Sequence, residues 1–160
     1  RSGDASTFDT MGDLYLKADL EEDKVRCLRW MTHVEDINLL AGFLERSLTR
    51  DVRVHNTIGL VAGVASNRLA RDLSWQFVKD NWEEFDRRYG SGGFAITRLV
   101  ALTGAFTTLE RAQEVEEFFH AHPAPSAQRV IQQSLERMRL NVKWLERNGQ
   151  DIADWFDARR

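Results

Sequence analysis

Between residues 67 and 89, apolar side chains return at three-, four- and five-residue steps: Leu69, Leu73, Val78, Trp82, Phe85 and Tyr89. That is a helical period, and it puts most of these residues on one face. Phe77 and Trp75 widen the stripe, while Asp80, Glu83, Glu84, Arg87 and Arg88 supply a hydrated face. The spacing predicts one long helix, stopped by Gly90, Ser91, Gly92 and Gly93, which read as a flexible hinge. A shorter helix follows from Phe94 to Gly104 with Leu99, Val100 and Leu102 as its apolar content. The next opens on Thr107-Thr108-Leu109-Glu110, a capping-box pattern in which Thr107 and Glu110 satisfy each other's free amides. It carries Leu109, Ala112, Val115 and Phe119 on one face and ends at His120-Ala121-His122-Pro123. Pro125 and Ser126 start the last long helix, whose Ile131, Leu135, Met138, Val142 and Leu145 recur like a heptad stripe. Asn148-Gly149 is expected to end it, leaving Ile152, Trp155 and Phe156 for a short terminal turn that folds back on the core.

The first third follows the same pattern, with helices expected near residues 7–18, 20–32, 35–49 and 55–65 and with Asp51 and Asn56 as turn or cap candidates. No segment alternates as a strand does. The expectation is an all-α chain of roughly eight helices, with short connections that make sequential helices antiparallel neighbours. Several helices carry apolar residues on two sides, as a layer between neighbours would. That favours a superhelical stack of helix pairs, a HEAT/armadillo-like α-solenoid, over a closed bundle. Residues 1–160 are read as a single helical domain, and the abrupt polar start Arg1-Ser2-Gly3-Asp4 as a cut within a longer chain.

Composition narrows the classes of function. With 160 residues, five tryptophans and nine phenylalanines, the chain has ample surface to bury, which argues against disorder. A net charge of -3 lacks the basic excess of a nucleic-acid binder. The longest apolar run, Ile58 to Ala65, is far short of the roughly 20 residues a membrane span requires. Cys27 is the single cysteine, so no internal disulfide forms. Its neighbours Val25, Leu28 and Met31 suggest a buried, unreactive thiol in a reducing compartment.

The search for catalytic chemistry is negative. His33, His55, His120 and His122 are scattered, and His120 and His122 would point about 200° apart on a helix of 3.6 residues per turn. Cys27 and His33 lie six residues apart, nearly on opposite sides of a helix, and no turn resembles a nucleophile elbow. The glycine cluster at 90–93 follows a helix rather than a strand and lacks the lysine of a phosphate loop. Glu21-Glu22, Glu83-Glu84 and Glu116-Glu117 read as solvated faces. Gly59 and Gly63 are spaced for the close approach of two helix backbones.

The blocks Gly63–Asn67 and Ala70-Arg71-Asp72-Leu73-Ser74-Trp75-Gln76-Phe77-Val78-Lys79-Asp80-Asn81-Trp82 carry a resemblance. So do Glu114–Phe119, His122–Ala127, Ile131–Ser134 and the trio Asn141, Trp144 and Leu145. Together, and in this order, they resemble the C-terminal helical domain of zinc aminopeptidases of the aminopeptidase N class, most of all the puromycin-sensitive branch. The resemblance is weaker over the first 50 residues.

It implies a cytoplasmic enzyme that removes N-terminal residues from peptides. Zinc and every catalytic group would then lie in an earlier catalytic domain of the same polypeptide, so this chain holds no cofactor or catalytic residue of its own. The helical domain would close over the active site and wall the peptide cavity, meeting peptide substrates and neither nucleic acid nor membrane. Phe94 and Arg98, four residues apart after the glycine hinge, are the candidate peptide-binding residues. A matching position in relatives faces the cavity, although not all of them carry arginine there. Ser91 departs from the shorter glycine turn of the branch, which puts the start of that helix in doubt. The alternative is a stand-alone helical-repeat module that binds a peptide or protein partner in a concave groove.

Overall fold

The structure is a computed structural model, and it describes residues 5–91 and 94–159. Gly92 and Gly93 of the expected hinge lie outside the described residues. Among the described residues there are nine α-helices, two short 3-10 turns and no strand, so the all-α expectation holds. The chain divides into two compact units, one up to Phe85 and one from Asp86.

The first unit contains α1 (Ala5–Lys17), α2 (Glu21–Met31), α3 (Ile37–Arg46), α4 (Val54–Ser66) and α5 (Arg71–Asp80). Helix α4 is its centre: α2, α3 and α5 all pack against it, and it buries Ile58, Leu60, Val61, Val64 and Ala65. The sequence permits this because α4 carries no charged residue between His55 and Ser66. Asp36 caps α3 by accepting from the amides of Asn38 (2.8 Å) and Leu39 (3.3 Å). Thr57, fully buried, donates to the Ser47 carbonyl at 2.9 Å and ties α4 to the end of α3. Phe8 of α1 meets Phe43 of α3 edge to face at 5.5 Å.

Gly63 makes the close approach its spacing suggested. A Cβ there would lie 2.8 Å from Thr32 Cγ2, whereas one on Gly59 would meet nothing within 4 Å. Cys27 corrects its expectation. It is only half-buried, and Val25 beside it is exposed, because the buried line of α2 runs through Leu28 and Met31 instead.

The long helix expected over 67–89 is two helices, α5 and α6 (Trp82–Tyr89). Residues 67–70 form a turn in which Asn67 accepts from the Leu69 amide at 3.1 Å, and Leu69 is exposed. The break between the helices falls at Asn81, whose backbone has φ -116 and ψ 19. Its side chain donates to the Phe77 carbonyl (2.9 Å), and its own carbonyl accepts from Glu84 and Phe85 (both 3.1 Å). Asparagine thus offers the chain a local alternative to the helical ladder. The apolar period runs on through the break, which is why periodicity missed it.

The second unit contains α7 (Phe94–Ala101), a 3-10 turn (Leu102–Ala105), α8 (Leu109–Ala121), a 3-10 turn (Pro125–Ala127) and α9 (Gln128–Asp157). Helix α9 packs against α7, α8 and both turns. Its Ile131, Leu135, Met138 and Val142 are buried, as are Ile96, Leu99 and Val100 of α7 and Val115 and Phe119 of α8. The cap of α8 is Thr108, accepting from the Arg111 amide at 3.3 Å, so the Thr107–Glu110 capping box does not form. One more deviation concerns the end of the chain. Asn148-Gly149 does not terminate α9, which runs unbroken for 30 residues. The Asn148 side chain donates to the Trp144 carbonyl at 2.7 Å and is satisfied within the helix. Leu145, counted in the buried stripe by its spacing, is exposed, as are Ile152, Trp155 and Phe156.

Candidate functional site: an exposed helix face beside a groove

Helix α7 is short, and its composition divides it cleanly. Ile96, Leu99 and Val100 are fully buried, which leaves the opposite face for Phe94 and Arg98. Four residues apart, these two share that face. Phe94 is 88% exposed. Arg98 is exposed and makes no ion pair among the described residues. Thr97 donates to the Phe94 carbonyl at 2.7 Å and helps hold the first turn.

Ala101 continues the same face one turn further and opens onto a groove of about 480 Å³. Ala101 and Gly104 line one side of the groove, and Gln133, Ser134, Arg137 and Leu140 of α9 line the other. Gly104 lets the turn pack close on α9, since a Cβ there would sit 3.3 Å from Arg137 Cδ and 3.6 Å from Ser134 Cα. Asn141 fixes the turn above by donating to the carbonyls of Gly104 and Phe106, both at 3.1 Å. The arrangement offers an aromatic ring, a cationic fork and an apolar trough with polar edges. Among the residues that line it, no nucleophile stands beside a base.

The histidines do different work. His33 Nδ1 lies 2.8 Å from the Arg29 carbonyl, and His122 Nδ1 lies 3.0 Å from the Phe118 carbonyl with its ring stacked on Phe118. His55 Nε2 meets Glu21 at 2.9 Å. No three histidine, cysteine or carboxylate side chains among the described residues converge as metal ligands, so a zinc ion does not fit this set of donors.

One polar cluster was not anticipated from the sequence. Glu21, read as part of a solvated face, accepts from Asn56 Nδ2 (2.7 Å), His55 Nε2 (2.9 Å) and Arg53 Nη1 (2.5 Å). These bonds, with the Asn56 and His55 contacts foremost, hold its carboxyl below the ordinary glutamate range. The partners lie over 30 residues away, so nothing local in the sequence marked them. The cluster clasps the starts of α2 and α4.

The family described as ERAP1-like C-terminal domain matches residues 1–140. Aminopeptidase M1 of Arabidopsis thaliana is 32% identical over 144 residues, covering 89% of this chain and 16% of its own length. Glutamyl aminopeptidase of Bitis rhinoceros is 30% identical over 162 residues, covering 98% of this chain and 17% of its own. Aminopeptidase N of Canis lupus familiaris is 30% identical, covering 85% of this chain and 14% of its own. The chain thus spans about one sixth of the length of these curated relatives. It belongs to the ERAP1-like C-terminal domain family, the helical C-terminal part of enzymes of the aminopeptidase N class.

Proposed function

We propose that residues 1–160 act as the C-terminal domain of a zinc-dependent, cytoplasmic aminopeptidase that removes N-terminal residues from peptides. In this reading the domain closes over the active site, walls the peptide cavity, and leaves the chemistry to the catalytic domain of the same polypeptide. Zinc would belong to that other domain and would there supply Lewis-acid polarisation of the scissile carbonyl and an activated water. The family match supports the parentage. The carrying observation for the role is the exposed pair Phe94 and Arg98, in line with the groove at Ala101. The Phe94 ring packs on side chains of the peptide beyond the cleaved residue, and the Arg98 guanidinium pairs with a peptide carboxylate.

The test uses the full-length enzyme with Phe94→Ala and Arg98→Ala, assayed on a long peptide and on a single aminoacyl amide. Each variant is expected to raise KM for the peptide about tenfold, the equivalent of about 1.4 kcal/mol, and to leave the aminoacyl amide unchanged. Equal losses on both substrates, or no loss on either, would remove the pair from the peptide path.

A further inference from the structure

Seven polar side chains are buried among the described residues, and six of them have hydrogen-bond partners. Ser47, Ser74 and Thr103 donate to carbonyls within their own turns, those of Leu44 (2.6 Å), Ala70 (2.8 Å) and Val100 (2.8 Å). The seventh, Ser134 of α9, is 5% exposed and has no partner among the described residues. Burying a hydroxyl without a partner is unfavourable, and native folds rarely do so without a reason. Its Oγ lies toward the groove of about 480 Å³, 3.6 Å from where a Cβ on Gly104 would stand. That volume falls within the roughly 300–1,000 Å³ of small-molecule sites. We propose that the groove binds a free α-amino acid with an aliphatic side chain.

The lining selects that class. Val130, Ser134 and Arg137 follow one line of α9 at steps of four and three, and Glu136 and Leu140 follow the next. Arg137 and Glu136 are exposed and make no ion pair among the described residues, so both charges are free. Adjacent positions on a helix diverge, which keeps the two from closing on each other and leaves room for a ligand between them. A guanidinium beside an open hydroxyl recognises a carboxylate, which accepts from the fork of Arg137 and from the Ser134 O–H. A bare carboxylate would meet Glu136 as a like charge. An ammonium one carbon away turns that repulsion into an ion pair, whereas phosphates and dicarboxylates gain no such relief. Leu140, 65% exposed, and Val130 give the aliphatic side chain its surface. An α-amino acid is also what the proposed hydrolysis releases; that source rests on the proposed function, while the site does not.

Equilibrium dialysis of L-leucine against the full-length protein tests this, with Kd expected on the order of 1 mM for a ligand of so few atoms. Arg137→Gln and Glu136→Gln, both at exposed positions, should each weaken the groove component of binding about tenfold. Ser134→Ala should weaken it about threefold while the urea midpoint stays equal or rises, because an unpartnered hydroxyl is removed. A serine with only a structural role would not give that split. Isocaproate, which lacks the ammonium, and isoamylamine, which lacks the carboxylate, should each bind about tenfold more weakly than leucine. Leucine held elsewhere in the polypeptide ignores all three substitutions. Peptide hydrolysis, assayed in parallel, reads the proposed function separately: a protein that binds leucine in the groove and hydrolyses no peptide keeps the site and loses only that source. Leucine binding that is absent, or that none of the three substitutions changes, overturns the proposal. So does isocaproate binding as tightly as leucine.

Discussion

Glu21 receives three donors from a stretch of four residues at the start of α4. Its folded pKa is depressed, so its contribution to stability is fully present above the unfolded value of about 4.3 and drains away as pH falls through the lower, folded one. Wild type should therefore lose more thermal stability below that range than Glu21→Gln, which is less stable at neutral pH but flatter with pH; melting curves from pH 3 to 7 read the difference. Two glycines one helical turn apart should respond in opposite directions. Gly63→Ala drives a methyl group against Thr32 and is expected to cost about 1–3 kcal/mol, most of it recovered by adding Thr32→Ser, which removes the Cγ2 it meets. Gly59→Ala meets open space and should gain up to about 1 kcal/mol from helix propensity. Urea denaturation of the three variants checks both. The spacing of these glycines was legible in the sequence, but which one touches a neighbour was not, since that depends on where the end of α2 crosses α4.

At the scale of elements, single polar side chains set where helices stop. Asn81 ends α5, Asn67 ties the end of α4 to the Thr32 and Val34 carbonyls at 3.0 and 2.8 Å, and Asn141 ties α9 to the turn after α7. Asn141→Ala would leave two carbonyls without their donor and is expected to cost about 1–3 kcal/mol, read as a lower denaturation midpoint with an unchanged slope. The Thr108→Ala cap variant should cost about 1 kcal/mol, and Thr107→Ala much less, which separates the observed cap from the capping box that the sequence suggested. Both threonines satisfy the composition rule for a cap; only the chain direction at Thr108, set by Phe106 buried just before it, selects between them.

At the scale of the molecule, the two units carry separate cores, with Trp75 fully buried in the first and Met138 in the second. Trp75→Ala is expected to cost about 3–5 kcal/mol and Met138→Ala about 2–5, measured by denaturant unfolding. Because no described side chains gather as metal ligands, a chelator should leave the melting temperature of these 160 residues unchanged. Under the proposed function, the same treatment of the full-length protein should abolish peptide hydrolysis. No described helix is long and apolar enough to cross a membrane, as the absence of a long apolar run implied.

The sequence by itself determined the all-α class, most helix positions, the C-terminal aminopeptidase-domain resemblance and the pairing of Phe94 with Arg98 on one face. These follow from local periodicity, which a helix reads out within a few residues of chain. Only the tertiary structure decided which apolar faces find partners. Leu69 and Leu145 keep the helical period yet stay exposed, because burial depends on a neighbour the period does not encode. It also decided that Glu21 joins residues more than 30 positions away, and that α9 runs on past Asn148-Gly149. Turn-forming residues end a helix only where folding back is more favourable than continuing, and Asn148 is satisfied inside α9 by the Trp144 carbonyl at 2.7 Å.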